Sequence, residues 1–389
     1  MMIKDVDFLD LNSLLSEEER ILRNTVRNFV DQKVLPIIEE HYQNGRFPTH
    51  LIREMGERGF LGANLQGYGC AGVNPLAYGL LNQELEAGDA GIRSFVSVQS
   101  SLVMYAIYTF GSEEQKEKWL PCMAKGEKIG CFGLSEPDAG SNPVGMRSRA
   151  VKTDRGYVLQ GTKMWITNGS LADVAIIWAK LDGVIRGFLV EKGTPGFKAQ
   201  EMGNKYSFRA SDTSELILDH CEIPKENLLY KTETLTSALL SCLDQGRFGV
   251  AWGALGAAMV CYNVAKDYSL TRKQFNNRPI ASHQMVQEKL VEMLTEITKA
   301  QFLSFRITQL KAEGKARRAH ISMMKMNNTE MALKVARMAR FILGGSGITS
   351  EYPIMRHMCN LETAVTYEGT NDIQKLILGN EITGIQAFY

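Results

Sequence analysis

The hydrophobic residues change their spacing twice along this chain, and that change restricts the possible folds more than any other feature. Up to about residue 125 they recur at helical spacing, for example after Ser16 and Glu19, whose Ser-x-x-Glu spacing is typical of a helix start. From about 126 to 232 short β-type runs such as YVLQGTKMW (157–165) alternate with turn residues. Helical spacing then returns and continues to the end. We therefore predict an α+β fold that is mainly α with a β domain.

The chain of 389 residues is too long for one compact core, so we predict three domains. The first is an N-terminal α-helical domain at 1–125, and the second is a middle β domain at 126–232. The third, at 233–389, has long helical patterns at about 235–270, 317–343 and 372–386, and another that ends near Gly314. This part is expected to form an α-helical bundle.

The composition argues against several classes of protein. A formal net charge of +1 gives no electrostatic reason to expect nucleic acid or an anionic membrane as a partner. Seven cysteines without a C-x-x-C and six dispersed histidines argue against a disulfide framework and a metal site. The acidic N-terminus lacks a signal-peptide pattern, and the longest nearly apolar run, Val250 to Tyr262, is shorter than the roughly 20 residues that a bilayer requires. We therefore expect a cytoplasmic protein that does not span a membrane.

The segment GYGCAG (67–72) matches the G-x-G-x-x-G pattern of dinucleotide-binding sites. That pattern binds a dinucleotide where it follows a β-strand and begins a helix. Here it follows a helical segment, LIREMGERGFLG, in a region without strand patterns. We therefore predict that it is not a dinucleotide site.

Glu368 lies near the C-terminus in AVTYEGTND (364–372), between an aromatic residue and a glycine. A turn at Gly369 can bring the carboxylate close to a bound molecule, and Tyr367 can shield it from water, which would suit a catalytic base. The alternative is a solvated loop acid or the N-cap of the last helix. The segment by itself does not decide between these interpretations.

Four further segments contain hydroxyls, backbone amides and aromatic faces that suit a large planar cofactor with phosphates. Each is weak alone, since GGSG is also typical of a helix C-cap, RKQF of a surface turn and WITN of a strand end. The segments are CFGLSEPDAGSNP (131–143), KMWITNG (163–169), RKQF (272–275) and GGSG (344–347).

In combination, these segments and TYEGTNDIQ resemble the acyl-CoA dehydrogenase family of flavoproteins over nearly the whole chain. The resemblance implies an N-terminal helical domain, a middle antiparallel β domain and a C-terminal four-helix bundle, usually in a homotetramer. It also implies FAD as the cofactor and an electron-transferring flavoprotein as the acceptor. Glu368 would then be the catalytic base that removes the proton α to the thioester carbonyl, with its own backbone N–H and a flavin hydroxyl polarising the carbonyl oxygen.

The resemblance assigns binding roles residue by residue. Ser141, Arg247 and Gly369 would lie on the acyl-CoA side, and Ser141 would also lie near the cofactor. The residues assigned to FAD are Phe132, Leu134, Ser135, Trp165, Ile166 and Thr167 around the ring, and Arg272, Phe275, Gln284, Leu343, Gly344, Gly345 and Thr370 toward the adenosine diphosphate half, with Arg272 and Phe275 reaching the FAD of a neighbouring subunit.

Arg93 decides which acyl-CoA is expected as the substrate. It lies in DAGIRSFVSVQSSLVM, where apolar neighbours indicate burial, and a buried guanidinium needs an anion. One possibility is a structural ion pair with Glu86. The other is the distal carboxylate of glutaryl-CoA, which a planar guanidinium can bind through two hydrogen bonds.

The resemblance extends to the family members that act on glutaryl-CoA, through Glu86, Arg93, Ser94, Ser97 and Tyr367. It implies oxidation to glutaconyl-CoA and decarboxylation to crotonyl-CoA. The alternatives are oxidation without decarboxylation, a short-chain acyl-CoA substrate, and a non-catalytic flavin-binding scaffold.

Three residues depart from the family pattern. Ile92 stands where the glutaryl motif is expected to have Tyr, Asn142 replaces a common Asp, and Phe341 replaces a Gln found in several relatives. None of them removes the base, the flavin segments or Arg93.

Overall fold

The computed structural model describes residues 4–232 and 235–387. Its N-terminal part is helical, and the helices Glu17–Phe29 and Ala90–Ser97 continue directly into π-helical turns at 30–34 and 98–104. The helices of this part are α1 Glu17–Phe29, α2 Ile38–Asn44, α3 Ile52–Glu57, α4 Pro75–Gly88, α5 Ala90–Ser97, α6 Tyr105–Phe110 and α7 Glu113–Ala124.

Side-chain caps define the starts of four of these helices, α1, α4, α5 and α7, and two of the caps bear on the argument below. Ser16 Oγ accepts a hydrogen bond from the Glu19 backbone N–H at 3.3 Å, and the Glu19 carboxylate accepts one from the Ser16 N–H at 2.7 Å, so the predicted capping box is present. Asp89 caps α5 by accepting from the Gly91 N–H at 2.7 Å, and its carboxylate also accepts from Arg356 Nη1 at 2.6 Å. The helix that carries Arg93 is thereby fixed to the C-terminal part of the chain.

The middle of the chain forms a curled seven-stranded sheet in the order β1-β4-β2-β3-β7-β6, with β5 beside β4. Strands β1 and β2 each pair parallel with β4, whereas the other pairings are antiparallel, so the sheet is mixed rather than wholly antiparallel. Long connections before β4 permit the parallel pairings. The strands are β1 Gly130–Gly133, β2 Arg149–Lys152, β3 Gly156–Thr167, β4 Val174–Leu181, β5 Val184–Glu191, β6 Phe197–Glu201 and β7 Thr213–Pro224.

The C-terminal part is a helical bundle built around one long central helix, α8. Helix α8 packs against α10, α9 and the N-terminal α4, and α12 packs on α10. A small hairpin, β8 Lys273–Gln274 and β9 Arg278–Pro279, follows α8. The helices are α8 Leu235–Thr271, α9 Gln284–Ala312, α10 Arg318–Leu343, α11 Ile354–Ala364 and α12 Asn371–Thr383.

Helix α8 is long and apolar enough over Ala238–Thr271 to cross a membrane by length and composition alone. Its most apolar window is completely buried in the protein, as in the core helix of a soluble protein, so the finding is weak evidence for a membrane span.

The segment 67–72 lies in a loop between α3 and α4, with left-handed backbone at Gly67, Gly69 and Gly72. Within the described residues, no strand precedes it, which agrees with the prediction that it is not a dinucleotide fingerprint.

Candidate active site

Glu368 lies in a sharp turn between α11 and α12. Its φ is 55° and that of Gly369 is 85°, so both residues have left-handed backbone. A left-handed non-glycine residue costs roughly 1–3 kcal/mol, which the surrounding contacts must offset. Thr370 ends the turn as the N-cap of α12, because its hydroxyl accepts from the Ile373 N–H at 3.2 Å. The cap of the last helix is therefore Thr370, and the Glu368 carboxylate is not used for it.

Three side chains from different helices hold this turn by its carbonyl oxygens. Arg247 Nε donates to the Glu368 oxygen at 2.9 Å, and Gln374 Nε2 donates to the same oxygen at 3.1 Å. Lys325 Nζ donates to the Gly369 oxygen at 3.0 Å. These contacts fix the backbone of the strained turn without using the Glu368 carboxylate.

The carboxylate of Glu368 is left without a partner in the described part of the chain. Its Oε2 atom is buried and accepts no hydrogen bond. Burial raises the pKa of Glu368 to about 7, although Arg247, Lys325 and Arg93 act in the opposite direction. A carboxyl group with a pKa near neutral is well matched to proton removal from carbon.

Arg93 is almost completely buried, with 1% of its surface exposed. Its Nε donates to Glu86 Oε2 at 2.5 Å, and its Nη2 donates to the Tyr367 hydroxyl. The structural ion pair considered from the sequence is therefore present. Glu86 and Tyr367 together occupy the guanidinium edge formed by Nε and Nη2. Among the described residues, the remaining nitrogen, Nη1, donates no hydrogen bond.

Burial also perturbs the groups around Arg93. It raises the pKa of Glu86 even though Arg93 acts to lower it, and the other oxygen of that carboxyl, Oε1, is buried and has no hydrogen-bond partner among residues 4–232 and 235–387. Burial likewise raises the pKa of Tyr367, which is therefore a neutral hydroxyl at pH 7. The Tyr367 ring packs edge-on against Phe208 with centroids 5.3 Å apart.

Glycines on one face of α8 make room for these polar groups. A Cβ on Gly246 would lie 2.9 Å from Glu368 Oε1, and a Cβ on Gly253 would lie 2.1 Å from Glu86 Oε2. Between them, a Cβ on Gly249 would lie 3.1 Å from Ser97 Oγ. The buried face of α8 thus connects Glu368 to the Arg93 cluster, and any side chain here would fill the space.

Of the other predicted acyl-CoA residues, Ser94 and Ser97 are buried on α5, the helix that carries Arg93. Ser141 lies exposed in the loop before β2. Arg247 is 4% exposed and holds the Glu368 turn, a role that the sequence analysis did not include. It also pairs with Asp244 at 3.2 Å.

The residues predicted to surround a flavin ring come together at β1 and the end of β3. Met164 N–H donates to the Ser135 carbonyl at 2.8 Å, which holds the loop after β1 against β3.

Trp165, near the end of β3, has a φ of 64° and is 60% exposed, so most of its side chain is accessible at the surface. Phe132 and Ile166 are buried beside it, and Leu134 and Thr167 are partly buried. Asn168 Nδ2 reaches the Phe95 carbonyl at 3.4 Å, which joins this end of β3 to α5.

The second predicted flavin group lies at the far end of α8. Residues 246 and 272 are separated along this helix by roughly 39 Å at about 1.5 Å per residue. Phe275 is 78% exposed in the hairpin, and Tyr268 donates to Ser346 Oγ at 3.4 Å, which links this end of α8 to the loop after α10. The group consists of Arg272, Phe275, Gln284, Leu343, Gly344 and Gly345, and Thr370 lies instead beside Glu368.

The Arg272 end of α8 therefore lies far from the Glu368 turn of the same chain. This arrangement agrees with the expectation that Arg272 and Phe275 serve a neighbouring subunit, which stays a prediction. Sequence reasoning did not identify Lys325, Gln374 or the α8 glycines. Only the glycine spacing, at 246, 249 and 253, was a readable signal of a crowded helix face.

Family models describing the N-terminal, middle and C-terminal domains of acyl-CoA dehydrogenase match residues 16–127, 131–221 and 236–383. Short-chain specific acyl-CoA dehydrogenase of Clostridium acetobutylicum is 35% identical over 382 residues, which cover 96% of this chain and 100% of that relative.

Solved structures give stronger similarities. Glutaryl-CoA dehydrogenase from Mycobacterium smegmatis is 50% identical with a TM-score of 0.97, and the match covers 99% of this chain and 100% of that chain. A second structure from that organism, a complex with FADH2, is 49% identical with a TM-score of 0.97 and 99% coverage of both chains. A chain in the electron transferring flavoprotein structure of Acidaminococcus fermentans is 36% identical, with a TM-score of 0.91 and coverage of 95% and 98%.

Proposed function

Because this chain belongs to the acyl-CoA dehydrogenase family, we propose that its substrate is glutaryl-CoA, which it oxidises between Cα and Cβ and decarboxylates to crotonyl-CoA and CO2. The observation that carries the proposal is the buried Arg93, with an unused guanidinium nitrogen next to the Glu368 turn. The glutaryl-CoA dehydrogenase structures at 50% and 49% identity support the same substrate.

The cofactor is FAD, as in the family and consistent with the FADH2 complex of the M. smegmatis relative. The residues present fit this group, because Trp165 presents a 60% exposed ring beside β1 and Glu368 Oε2 lacks a partner in the described chain. Phe132, Leu134, Ser135 and Trp165 to Thr167 would hold its ring. When bound, FAD accepts the two electrons that leave the substrate with the β hydrogen.

Glu368 removes the α proton of the thioester. Its pKa of about 7 makes it a stronger base than an exposed glutamate while part of the population stays ionised at neutral pH. The Glu368 backbone N–H makes no hydrogen bond among the described residues, so it is free to donate to the thioester oxygen and stabilise the enolate. Arg247 and Gln374 keep that N–H in place by holding the carbonyl of the same residue.

Arg93 binds the distal carboxylate and fixes the acyl chain across the Glu368 turn. A charge-assisted hydrogen bond in a buried site is strong because water does not compete there. The Glu86 carboxyl engages only Nε of Arg93, so Nη1 is left to bind the distal carboxylate of the substrate.

Decarboxylation follows from the electronic structure of the oxidised product. In glutaconyl-CoA the bond between Cγ and the carboxylate carbon breaks, CO2 leaves, and the electron pair is delocalised through the double bond into the thioester. The proton that Glu368 took from Cα is then returned to Cγ, which gives crotonyl-CoA and restores the base. Tyr367, Arg93 and Glu86 control the polarity around this proton.

Two variants separate the substrate role of Arg93 from its pairing with Glu86. Arg93→Ala is expected to lower kcat/KM for glutaryl-CoA by roughly 100-fold or more and for butyryl-CoA much less, since only glutaryl-CoA has a charge to bind. In the double variant Arg93→Met with Glu86→Met no buried charge is left unpaired, so we expect butyryl-CoA turnover to recover and glutaryl-CoA turnover to stay low.

Equal losses on both substrates, or recovery on both in the double variant, would assign Arg93 a structural role. The function would then be short-chain acyl-CoA oxidation, which the C. acetobutylicum relative favours. If glutaryl-CoA bleaches the flavin and the product is glutaconyl-CoA, the oxidation remains in the proposal and the decarboxylation is removed from it.

We propose further that the enzyme is a cytoplasmic homotetramer and passes its electrons to an electron-transferring flavoprotein. The exposed Phe275 at the far end of α8 supports a subunit contact. The A. fermentans structure supports the acceptor.

A further inference from the structure

Lys325 on α10 is fully buried, and its position is chemically unusual. Its ammonium donates to two neutral oxygens, the Gly369 carbonyl at 3.0 Å and Asn371 Oδ1 at 3.2 Å. Within the described residues, no carboxylate lies within ion-pair distance of Nζ. A buried charge normally has an ionic partner because its desolvation is costly, so the location of the compensating charge is informative.

The acids of the neighbouring helices are engaged elsewhere. Asp244 on α8 pairs with Arg247 at 3.2 Å and Arg318 at 3.0 Å. Asp372 on α12 and Glu362 on α11 pair at the surface with Lys375 and Arg337. The nearby carboxylate without an ion pair in the described chain is that of Glu368.

Several other groups act on these two charges. Arg247 on α8 and Arg93 on α5 add positive charge near Glu368, while Asp244 opposes them. The nearby Tyr367 and Cys242 have raised pKa values and are neutral at pH 7. Lys311 on α9 interacts with Asp244. Lys325 is distinguished from Arg247 and Arg93 because it has no carboxylate of its own.

We propose that Lys325 is a positioning residue for the base: its ammonium holds the Glu368–Gly369 turn through the Gly369 carbonyl and stabilises the ionised form of the Glu368 carboxylate. This inference rests on the proposed role of Glu368. Burial lowers the pKa of Lys325 to about 7, and Glu368 acts to raise it. The two groups therefore titrate as an interacting pair.

Proton removal can be measured apart from oxidation with acetyl-CoA, which has α hydrogens but no β carbon. The FAD-loaded enzyme is incubated with acetyl-CoA in D2O, and deuterium incorporation at Cα is followed by mass over a range of pH. Lys325→Gln removes the charge and keeps a donor for Gly369. The exchange rate of the unaltered enzyme should rise with pH as Glu368 ionises, and we call this rise the acidic limb of the pH profile. In Lys325→Gln we expect the acidic limb to move to a pH roughly one unit higher, so that exchange at a pH well below the limb is about tenfold slower.

Three further variants separate the effects of charge, hydrogen bonding and folding. Lys325→Met should show the same shift with a lower plateau, because the turn also loses its donor. Lys325→Arg should restore the position of the limb. Lys334→Gln is the matched control, since Lys334 lies on the same helix with 60% of its side chain exposed and pairs with Glu292; it should behave as the unaltered enzyme.

An unshifted limb in both Lys325→Gln and Lys325→Met would overturn the proposal. So would failure of both to fold while Lys325→Arg folds, judged by circular dichroism and FAD content, because Lys325 would then act in stability alone. Glu368→Gln serves as the reference. If it still exchanges at the original rate, the proposed base is wrong; if it does not and the Lys325→Gln limb is unmoved, only the positioning role fails.

Discussion

Replacing Gly253 by alanine tests the Arg93 cluster without removing either of its charges. The added Cβ would lie 2.1 Å from Glu86 Oε2 and 3.0 Å from Arg93 Nε. Ordinary contact begins at 3.4 Å, so the carboxylate must move by roughly 1 Å, and the 2.5 Å bond to Arg93 must shift with it. A displacement of about 1 Å in a positioning group can cost about 100-fold in rate. We therefore expect Gly253→Ala to lower kcat/KM for glutaryl-CoA about 100-fold and for butyryl-CoA less than about tenfold.

The measurement compares steady-state kinetics of both substrates in Gly253→Ala and Gly379→Ala. Gly379 lies in α12, and a Cβ there meets nothing within 4 Å, so this variant controls for a glycine-to-alanine change in a helix. Overpacking also costs typically 1–3 kcal/mol of stability, so the assay temperature must lie well below the measured Tm. Equal losses on both substrates, or an unaltered glutaryl-CoA rate, would refute the reasoning.

Three further predictions concern Glu368. Glu368→Gln should keep FAD and ligand binding but reduce the flavin at least about 10³-fold more slowly, as seen by stopped-flow absorbance; fast residual reduction would indicate another base. In the unaltered enzyme, kcat/KM should rise with pH through about 7, because the base of the free enzyme must be ionised, and a flat kcat/KM profile between pH 6 and 8 would contradict this. Since the folded pKa is raised from 4.5 to about 7, the folded state binds the proton more tightly than the unfolded state, so the contribution of Glu368 to stability falls as the pH rises from about 4.5 to about 7 and stays low above pH 7. Glu368→Gln should therefore raise Tm more at pH 8 than at pH 5.

The sequence predicted those elements whose signal is long and periodic. The capping box of α1, the strand β3, and the long helices α8, α9 and α10 were all readable from spacing. Strands β1, β2 and β6 have four or five residues each, too few for a period to be recognised, and α11 was not predicted. The parallel pairing of β1 and β2 with β4 depends on tertiary arrangement, which local patterns do not contain.

The candidate site divides in the same way. Glu368 and Arg93 were identified because burial or a turn makes an acid or a guanidinium conspicuous in its own segment. Lys325 acts on a carbonyl 44 residues away, and Arg247 on one 121 residues away. Such contacts have no local signature, since a lysine in a long helix is usually solvated. The strained left-handed backbone of Glu368 was likewise invisible, because a glycine follows it and the turn was attributed to Gly369 alone.

The most direct test of the proposed activity is an anaerobic mix of the FAD-loaded protein with glutaryl-CoA. Flavin absorbance is followed first, and the CoA products are identified by mass after an electron acceptor is added. We expect bleaching of the flavin and crotonyl-CoA as the product. An unbleached flavin with glutaryl-CoA, in a protein that butyryl-CoA bleaches, would contradict it and make Arg93 a structural residue.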